Sequence, residues 1–413
     1  MSTSNTFAAP AALQGVRVLD LSSVMMGPFA ARVLADMGAD VIKVEAPTGD
    51  TVRGVGPMGQ KRMGPFYMHA NRNKRSLVLD LKQPQGKEAM LRLVRTADIL
   101  LYNVRPQAMS RLGLGYEDVR PLNPGLIYIG AYGFGQQGTY AKRPAFDDLI
   151  QALSGVPSLI AQAGDGVPRY VPLAVMDRYV GAYAVNAALA ALIHKMRTGV
   201  GQSIEVPMFE VATEMVLGDH MFGHSYDPPA GPPGYPRSLS RDRHPFATQD
   251  GYICVMAYTD RHWSSFFTLI GQPALAADAR FATMSARTEH TAELNTLLKR
   301  TLGERTTAEW LEVLERLDIP AAPLHDLYSL PEDPHLDSVG FFQWREHPTV
   351  GRFRDMRAPT TWSETPPTFQ RLAPRLGEHS EEVLLEAGFS PAEVASLVES
   401  GVTLLDPDHE GQQ

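Results

Sequence analysis

The sequence predicts an α/β protein: a large domain built on a doubly wound parallel sheet, with a smaller α+β domain. Three observations carry that prediction. From residue 16 to residue 130, short aliphatic and β-branched runs alternate with segments of helical spacing, as in parallel strands joined by helices. A proline- and glycine-rich stretch, 226–245 (YDPPAGPPGYPRSLSRDRHP), then breaks the pattern, so a separate excursion follows it. The composition, 44% hydrophobic and 20% charged over 413 residues, is ordinary for a globular chain of two or three domains.

The elements follow in order. Residues 16–21 (VRVLDL) read as a strand, 28–37 (PFAARVLADM) as a helix stopped by Gly38, and 39–45 (ADVIKVE) as a second strand. Strand, helix and strand in this order imply parallel strands with a right-handed crossover. Such a unit invites a dinucleotide with Glu45 on a ribose. The turn 22–27 (SSVMMG), however, has one glycine where GxGxxG needs three, which speaks against NAD. The helix N-terminus still leaves room for a phosphate of another nucleotide-bearing ligand. Strands follow at 76–81, 98–102 and 126–130, with an amphipathic helix at 87–95. The loop 130–138 (GAYGFGQQG) is either a flexible turn or a ligand loop at a strand end. An alanine-rich buried helix runs from Asp177 to Lys195 and stops at Gly199, and 203–206 is a strand. A strand at 251–256 and helices at 262–270 and 307–317 form the small domain. Two short helices lie in 375–405, with Ser390 capping before Pro391. The expected division is a large domain 1–224, a small domain 225–340, and a return segment 341–413 whose helices complete the large domain.

The formal charge of −8 argues against nucleic acid as a partner, while an anionic small molecule can still find a local basic pocket. Cys254 is the one cysteine, so no intrachain disulfide forms and a cytoplasmic location fits. Residues 1–10 have neither the basic nor the apolar part of a leader. No apolar run approaches a membrane span, and no metal-ligand cluster stands out, so no metal is expected.

Asp177 heads the alanine-rich helix. An ordinary N-cap needs only a short acceptor there. The same place suits chemistry, because a carboxylate at the positive end of a helix stays ionised and can act as a nucleophile. Local sequence leaves both readings open.

Six blocks in order carry a resemblance: 13–54 (LQGVRVLDLSSVMMGPFAARVLADMGADVIKVEAPTGDTVRG), 71–82 (NRNKRSLVLDLK), 103–128 (NVRPQAMSRLGLGYEDVRPLNPGLIY), 133–155 (GFGQQGTYAKRPAFDDLIQALSG), 197–210 (RTGVGQSIEVPMFE) and 373–390 (APRLGEHSEEVLLEAGFS). The chain resembles the family III CoA-transferases, which also include the alpha-methylacyl-CoA racemases. The resemblance implies that Asp177 is the nucleophile, although Met176 stands where the family usually has glycine. It implies that Asp177 takes the acyl group of a donor thioester as a mixed anhydride and then becomes an aspartyl-CoA thioester. An acceptor carboxylate collects the CoA through a second anhydride. It also implies an interlocked homodimer, no permanently bound cofactor, and an acyl-CoA and a carboxylic acid as substrates.

Carried over residue by residue, the CoA pocket draws on Ser23, Val24, Met25 and Met26 of the first turn, on Asn73, Lys74 and Arg75, and on Asn103, Ala108 and Arg111. Oxyanion or lid donors are sought at Gly133 and Gly135 and, in the small domain, at Gly231 and Gly234. Racemases of the family use a histidine where Phe146 stands here, and phenylalanine carries no proton, so transfer is favoured over racemisation. An intramolecular CoA-transferring isomerase and a catalytically inactive CoA-binding relative stay open beside these two. Whether Asp147 has a catalytic role stays open as well. Arg237, Arg241 and Arg243 fall within seven residues of one another (RSLSRDRH). They are either a solvated loop pairing with carboxylates or a grip for a second carboxylate, which would make the substrates dicarboxylic, as with succinyl-CoA and a C4 or C5 diacid.

Overall fold

Six parallel strands pair edge to edge in the computed structural model, which describes residues 11–406. The leader reading of 1–10 lies outside the described residues. In chain order the first elements are β1 (Arg17–Leu21), α1 (Met26–Asp36), β2 (Asp40–Glu45), α2 (Pro65–Asn71), β3 (Lys74–Val78), α3 (Pro84–Val94), β4 (Ile99–Tyr102), α4 (Pro106–Leu112), α5 (Tyr116–Val119) and β5 (Ile127–Tyr132). Then come α6 (Asp147–Leu153), α7 (Val156–Ala163), α8 (Val175–Thr198), β6 (Ser203–Pro207) and α9 (Met208–His220). The sheet order is β3-β2-β1-β4-β5-β6, with every pair parallel. The direction of winding reverses between β1 and β4, the switch point at which such sheets hold ligands beyond their carboxyl ends.

Strands covered on both faces must be apolar on both faces. Val18, Val41, Ile99 and Leu101 face α1 and α8 on one side. Leu19, Ile42, Leu77 and Leu100 face α3 and the C-terminal helices α15 (Ser380–Glu386) and α16 (Pro391–Glu399) on the other.

The chain divides into two compact units: residues up to 158, Arg169–Asp219 and from 338 on form the first, and Leu159–Pro168 with His220–Asp337 the second. The second unit holds a three-stranded antiparallel sheet, β7 (Phe246–Ala247), β8 (Tyr252–Val255) and β9 (Ala321–Pro323). Helices α10 (Asp260–Leu269), α11 (Met284–Glu289), α12 (Thr291–Leu302), α13 (Thr307–Arg316) and α14 (Pro334–Ser338) accompany it. Its core gathers Ile253, Trp263, Phe266, Phe267 and Trp310. The first unit also carries a two-stranded antiparallel ribbon, β10 (Phe342–His347) and β11 (Gly351–Met356).

The small residues of α8 set how closely it approaches α1. Val180, Gly181, Ala184 and Ala188 are buried, and Gly199 ends the helix in the left-handed conformation at φ 74°. In the single chain the helix is buried along one side, and Met196 on the other is 84% exposed. A Cβ on Gly181 would lie 2.8 Å from the carbonyl oxygen of Met26 and 2.9 Å from Phe29 Cδ1. Gly181→Val should therefore push α8 off α1. Thermal unfolding is expected to show a loss of about 1–3 kcal/mol; an unchanged melting temperature would contradict this packing.

Candidate active site

Asp177 occupies the third position of α8, whose first residue is Val175. Ala174 precedes the helix and offers no side-chain cap. The missing cap comes from Asp147, the first residue of α6: its Oδ1 accepts the N–H groups of Met176 at 2.8 Å and Asp177 at 3.0 Å. Its Oδ2 accepts from Gln151 Nε2 at 2.7 Å, and Gln151 Oε1 takes the N–H of Val171 at 2.8 Å. The N-cap reading of Asp177 is thereby corrected. Asp147 does the capping, and among the described residues nothing donates a hydrogen bond to the Asp177 carboxylate.

The expectation that the helix terminus keeps Asp177 ionised is corrected too. Burial and, next, the neighbouring Asp147 charge push its carboxyl up to about 7, and Arg178 offsets only part of this. Asp177 is thus a half-buried carboxyl without donors, at the end of a helix whose first amides are already spent.

The β1–α1 turn sits at the switch point. Ser22 N–H donates to Asp20 Oδ1 at 3.0 Å. Ser23 is gripped at both ends by Asn103, whose Oδ1 takes its N–H at 2.9 Å and whose Nδ2 donates to its carbonyl at 2.7 Å. Val24 N–H donates to both oxygens of Asp50 at 3.2 Å. Three successive amides are consumed by side chains, two of them carboxylates. The three N–H groups are therefore occupied, so the backbone of residues 22–24 offers no free donor to a phosphate, and Val24 is the part of the turn left exposed. Met25 and Met26 are buried.

Beneath the turn lies a buried polar network. Lys74 Nζ donates to Asp20 Oδ2 and Asn71 Oδ1, each at 2.8 Å, and to the Pro28 carbonyl at 2.9 Å. Lys43 Nζ donates to Asp50 Oδ2 at 3.0 Å and to the Ser22 carbonyl at 2.9 Å. Arg53 binds Glu45 through two 2.8 Å contacts. Burial alone would raise the Glu45 carboxyl, but Arg53 brings it down to about 2. Glu45 is thus a structural partner and not a ribose ligand.

The side chains of the other residues expected at CoA are placed as follows. Lys74 is fully buried with its donors spent. Arg75 belongs to the amino end of β3 and is tied to Asp40, Glu382 and Glu386 at 2.7–3.1 Å, away from the carboxyl ends of the strands. Asn73 spends its amide on Asp36, the Thr368 carbonyl and the N–H groups of Gln370 and Arg371. Lys74 and Arg75 fall in a run of basic residues, and strand geometry buries one and pairs the other. Ala108 and Arg111 lie on α4, and Arg111 is exposed with no partner among the described residues.

Of the glycines, Gly133 packs so closely that a Cβ would meet Ala145 Cβ at 2.3 Å, which brings its loop against the segment entering α6. The N–H of Gly135 donates to Glu210 Oε1 at 2.9 Å and that of Gln136 to Glu205 Oε2 at 3.1 Å. Gly135 therefore has no free amide to offer an oxyanion. In the second unit, Gly234 N–H donates to the His220 carbonyl at 2.8 Å, and Gly231 backs onto Gly223. Arg237, Arg241 and Arg243 are exposed, and none has an ion-pair partner among the described residues; Arg237 Nη2 lies 3.5 Å from Met256 Sδ. Phe146 is 67% exposed. The residues that sequence reading passed over are Asp147 as cap, Gln151, Asp20, Lys43 and Asp50. The signal for Asp20 and Lys43 was their place in otherwise apolar strands, where a charge needs a buried partner. No group of three or more His, Cys, Asp or Glu suited to a metal occurs among the described residues.

The sequence matches CoA-transferase family III over residues 13–380. It is 35% identical over 384 residues to a succinate–glutarate CoA-transferase of Agrobacterium fabrum, covering 91% of this chain and 95% of that one. Identity to a succinyl-CoA:glutarate CoA-transferase of Homo sapiens is 30% over 395 residues, 94% and 89% of the two chains. A probable fatty acyl-CoA transferase of Mycobacterium tuberculosis is 36% identical over 347 residues, 81% and 87% of the two. The crystal structure of that protein superposes with a TM-score of 0.79 at 32% identity, covering 90% of this chain and 99% of that one.

The raised carboxyl of Asp177 has a stability cost with a definite sign. Between its unfolded value near 3.8 and its folded value of about 7, the unfolded chain ionises while the folded one holds its proton, so stability falls as pH rises through that window. Asp177→Asn should raise the melting temperature at pH 8, with a gain of the order of 2 kcal/mol after screening, and should change it little at about pH 3.5. A gain that is equal at both pH values would contradict the assigned cause.

Proposed function

The chain belongs to CoA-transferase family III and is a CoA-transferase, and on that premise we propose a covalent route through Asp177 with dicarboxylic substrates. One observation carries the reading: a carboxylate in the first turn of α8 that receives no hydrogen bond while Asp147 takes the helix amides. A carboxylate free of donors is the more nucleophilic. One oxygen of Asp177 attacks the thioester carbonyl of an acyl-CoA. The C–S bond breaks and CoA leaves as thiolate, giving an aspartyl–acyl anhydride. The thiolate attacks the aspartyl carbonyl and expels the donor acid, leaving an aspartyl-CoA thioester. An acceptor carboxylate then attacks that thioester, and the thiolate returns to the acceptor's carbonyl, regenerating Asp177. Asp147 has a positioning part in this scheme, since both its oxygens are engaged. Racemisation lacks its second proton carrier, because Phe146 holds that position.

The names of the Agrobacterium and human relatives support succinyl-CoA as donor and a C4 or C5 dicarboxylate as acceptor. Arg237, Arg241 and Arg243, exposed and without ion pairs among the described residues, are the candidates to grip the second carboxylate. Arg111 is the remaining cation for a CoA phosphate. We read the assembly as an interlocked homodimer in the cytoplasm: Phe146 and Leu173, each 67% exposed, and Met196 leave apolar surface for a second copy to cover. No helix among the described residues is long and apolar enough to cross a membrane.

Asp177→Ala should abolish CoA transfer while CoA still binds by calorimetry. Activity above a few per cent of the native rate would remove Asp177 from the nucleophile's role. In the native enzyme, kcat/KM should rise with pH through about 7, as the carboxyl ionises. With a panel of acids, monocarboxylates should be poorer acceptors than C4 and C5 diacids by about 10- to 100-fold. Arg241→Met or Arg243→Met should narrow that gap, and equal rates for both classes in the native enzyme would refute the dicarboxylate grip.

A further inference from the structure

Val24 sits at φ 69°, in the left-handed region that β-branched residues avoid. The transfer chemistry makes no use of that conformation. Its N–H donates to both oxygens of Asp50 at 3.2 Å. Asp50 is fixed in turn from three directions. Lys43 Nζ reaches its Oδ2 at 3.0 Å, Val52 N–H reaches its Oδ1 at 3.2 Å, and its own N–H donates to Glu45 Oε1 at 2.9 Å. Lys43 closes the ring by donating to the Ser22 carbonyl at 2.9 Å, two residues before Val24. Lys43, Glu45 and Asp50 are buried, whereas Val24 is left 37% exposed at the switch point of the sheet.

We propose that Asp50, locked by Lys43, is a positioning residue that holds Val24 left-handed and so presets the turn that meets acyl-CoA. Without the carboxylate, the backbone relaxes toward negative φ, the valine side chain swings, and the turn must be re-formed on each binding event. The loss then falls on substrate affinity and not on the chemical step. This inference rests on acyl-CoA being the substrate.

A double-mutant cycle reads the coupling. Asp50→Ala is expected to raise KM for succinyl-CoA about tenfold, about 1.4 kcal/mol, with kcat within about twofold. In the Val24→Gly background the same substitution should raise KM less than about threefold, because glycine takes a positive φ without penalty. A purely architectural part for Asp50 would lower the melting temperature in both backgrounds and shift KM equally in both. Equal KM effects in the two backgrounds, or no KM effect of Asp50→Ala, overturn the assignment. Asp50→Asn carries the same comparison if the alanine variant, which strands a buried lysine, does not fold. Binding of free coenzyme A to the native protein is measured alongside by calorimetry. Failure to bind would overturn the acyl-CoA reading and this inference with it, whereas binding with equal KM effects overturns the inference alone.

Discussion

One carboxylate, Asp147, takes the two amides at the head of α8, and the chemistry of the site follows from that. A helix that starts at Val175 leaves its first N–H groups seeking acceptors, and its own preceding residue, Ala174, has no side-chain acceptor to offer. Asp177 would ordinarily be drawn into that role. With Asp147 supplying the acceptor from a separate helix, the Asp177 carboxylate is left without a hydrogen-bond donor among the described residues. Hydrogen bonds to a charged group contribute about 1.5–3 kcal/mol, so the arrangement stabilises α8 as well as releasing its third residue. The same negative charge also raises the Asp177 carboxyl, so the contact that frees the group makes its ionisation costlier.

A second constraint operates at the carboxyl ends of β1 and β2. Asp20, Lys43, Lys74, Asp50, Glu45 and Arg53 are all buried, so each must be paired. Burial alone would raise Asp20, but Lys74 and Lys43 hold it low. Burial alone would lower Lys43, but Asp20, Glu45 and Asp50 keep it high. An ion network of this kind adds little net stability over an apolar core, but it has only one satisfied geometry. What it specifies here is the β1–α1 turn, whose amides end on Asp20, Asn103 and Asp50. The sheet order is that of dinucleotide-binding proteins, yet carboxylates stand where a pyrophosphate would lie. The likeness to those proteins stops at the topology.

Much of this was legible in the sequence where the signal was local. The strands beginning near Arg17, Asp40, Ile99 and Ile127 announce themselves as aliphatic runs, and Gly199 ends α8 as its place in the sequence suggests. The motif blocks identified the family, which the match over 13–380 bears out. What was not legible depends on partners distant in the chain. Asp147 and Met176 are twenty-nine residues apart, and no spacing rule links a cap to a helix that it does not precede. Lys74 and Arg75 look like surface cations in a run of basic residues, and only the strand register shows one buried against Asp20 and the other tied to Asp40 and Glu386. The ribbon β10–β11 escapes sequence reading because Arg, Glu and Gln interleave with its aromatic residues, so neither face reads as apolar. Helix α12 did carry a local signal, since Leu294, Leu297, Leu298 and Leu302 fall at helical spacing, and that signal was passed over.

The central claim is that Asp177, and not the neighbouring Asp147, carries the covalent intermediate. Incubation of the native enzyme with succinyl-CoA followed by hydroxylamine, with peptide mapping by mass spectrometry, tests this most directly. A hydroxamate confined to the side chain of Asp177 is the predicted result. A hydroxamate on Asp147, or no enzyme-bound adduct during turnover, would contradict the account.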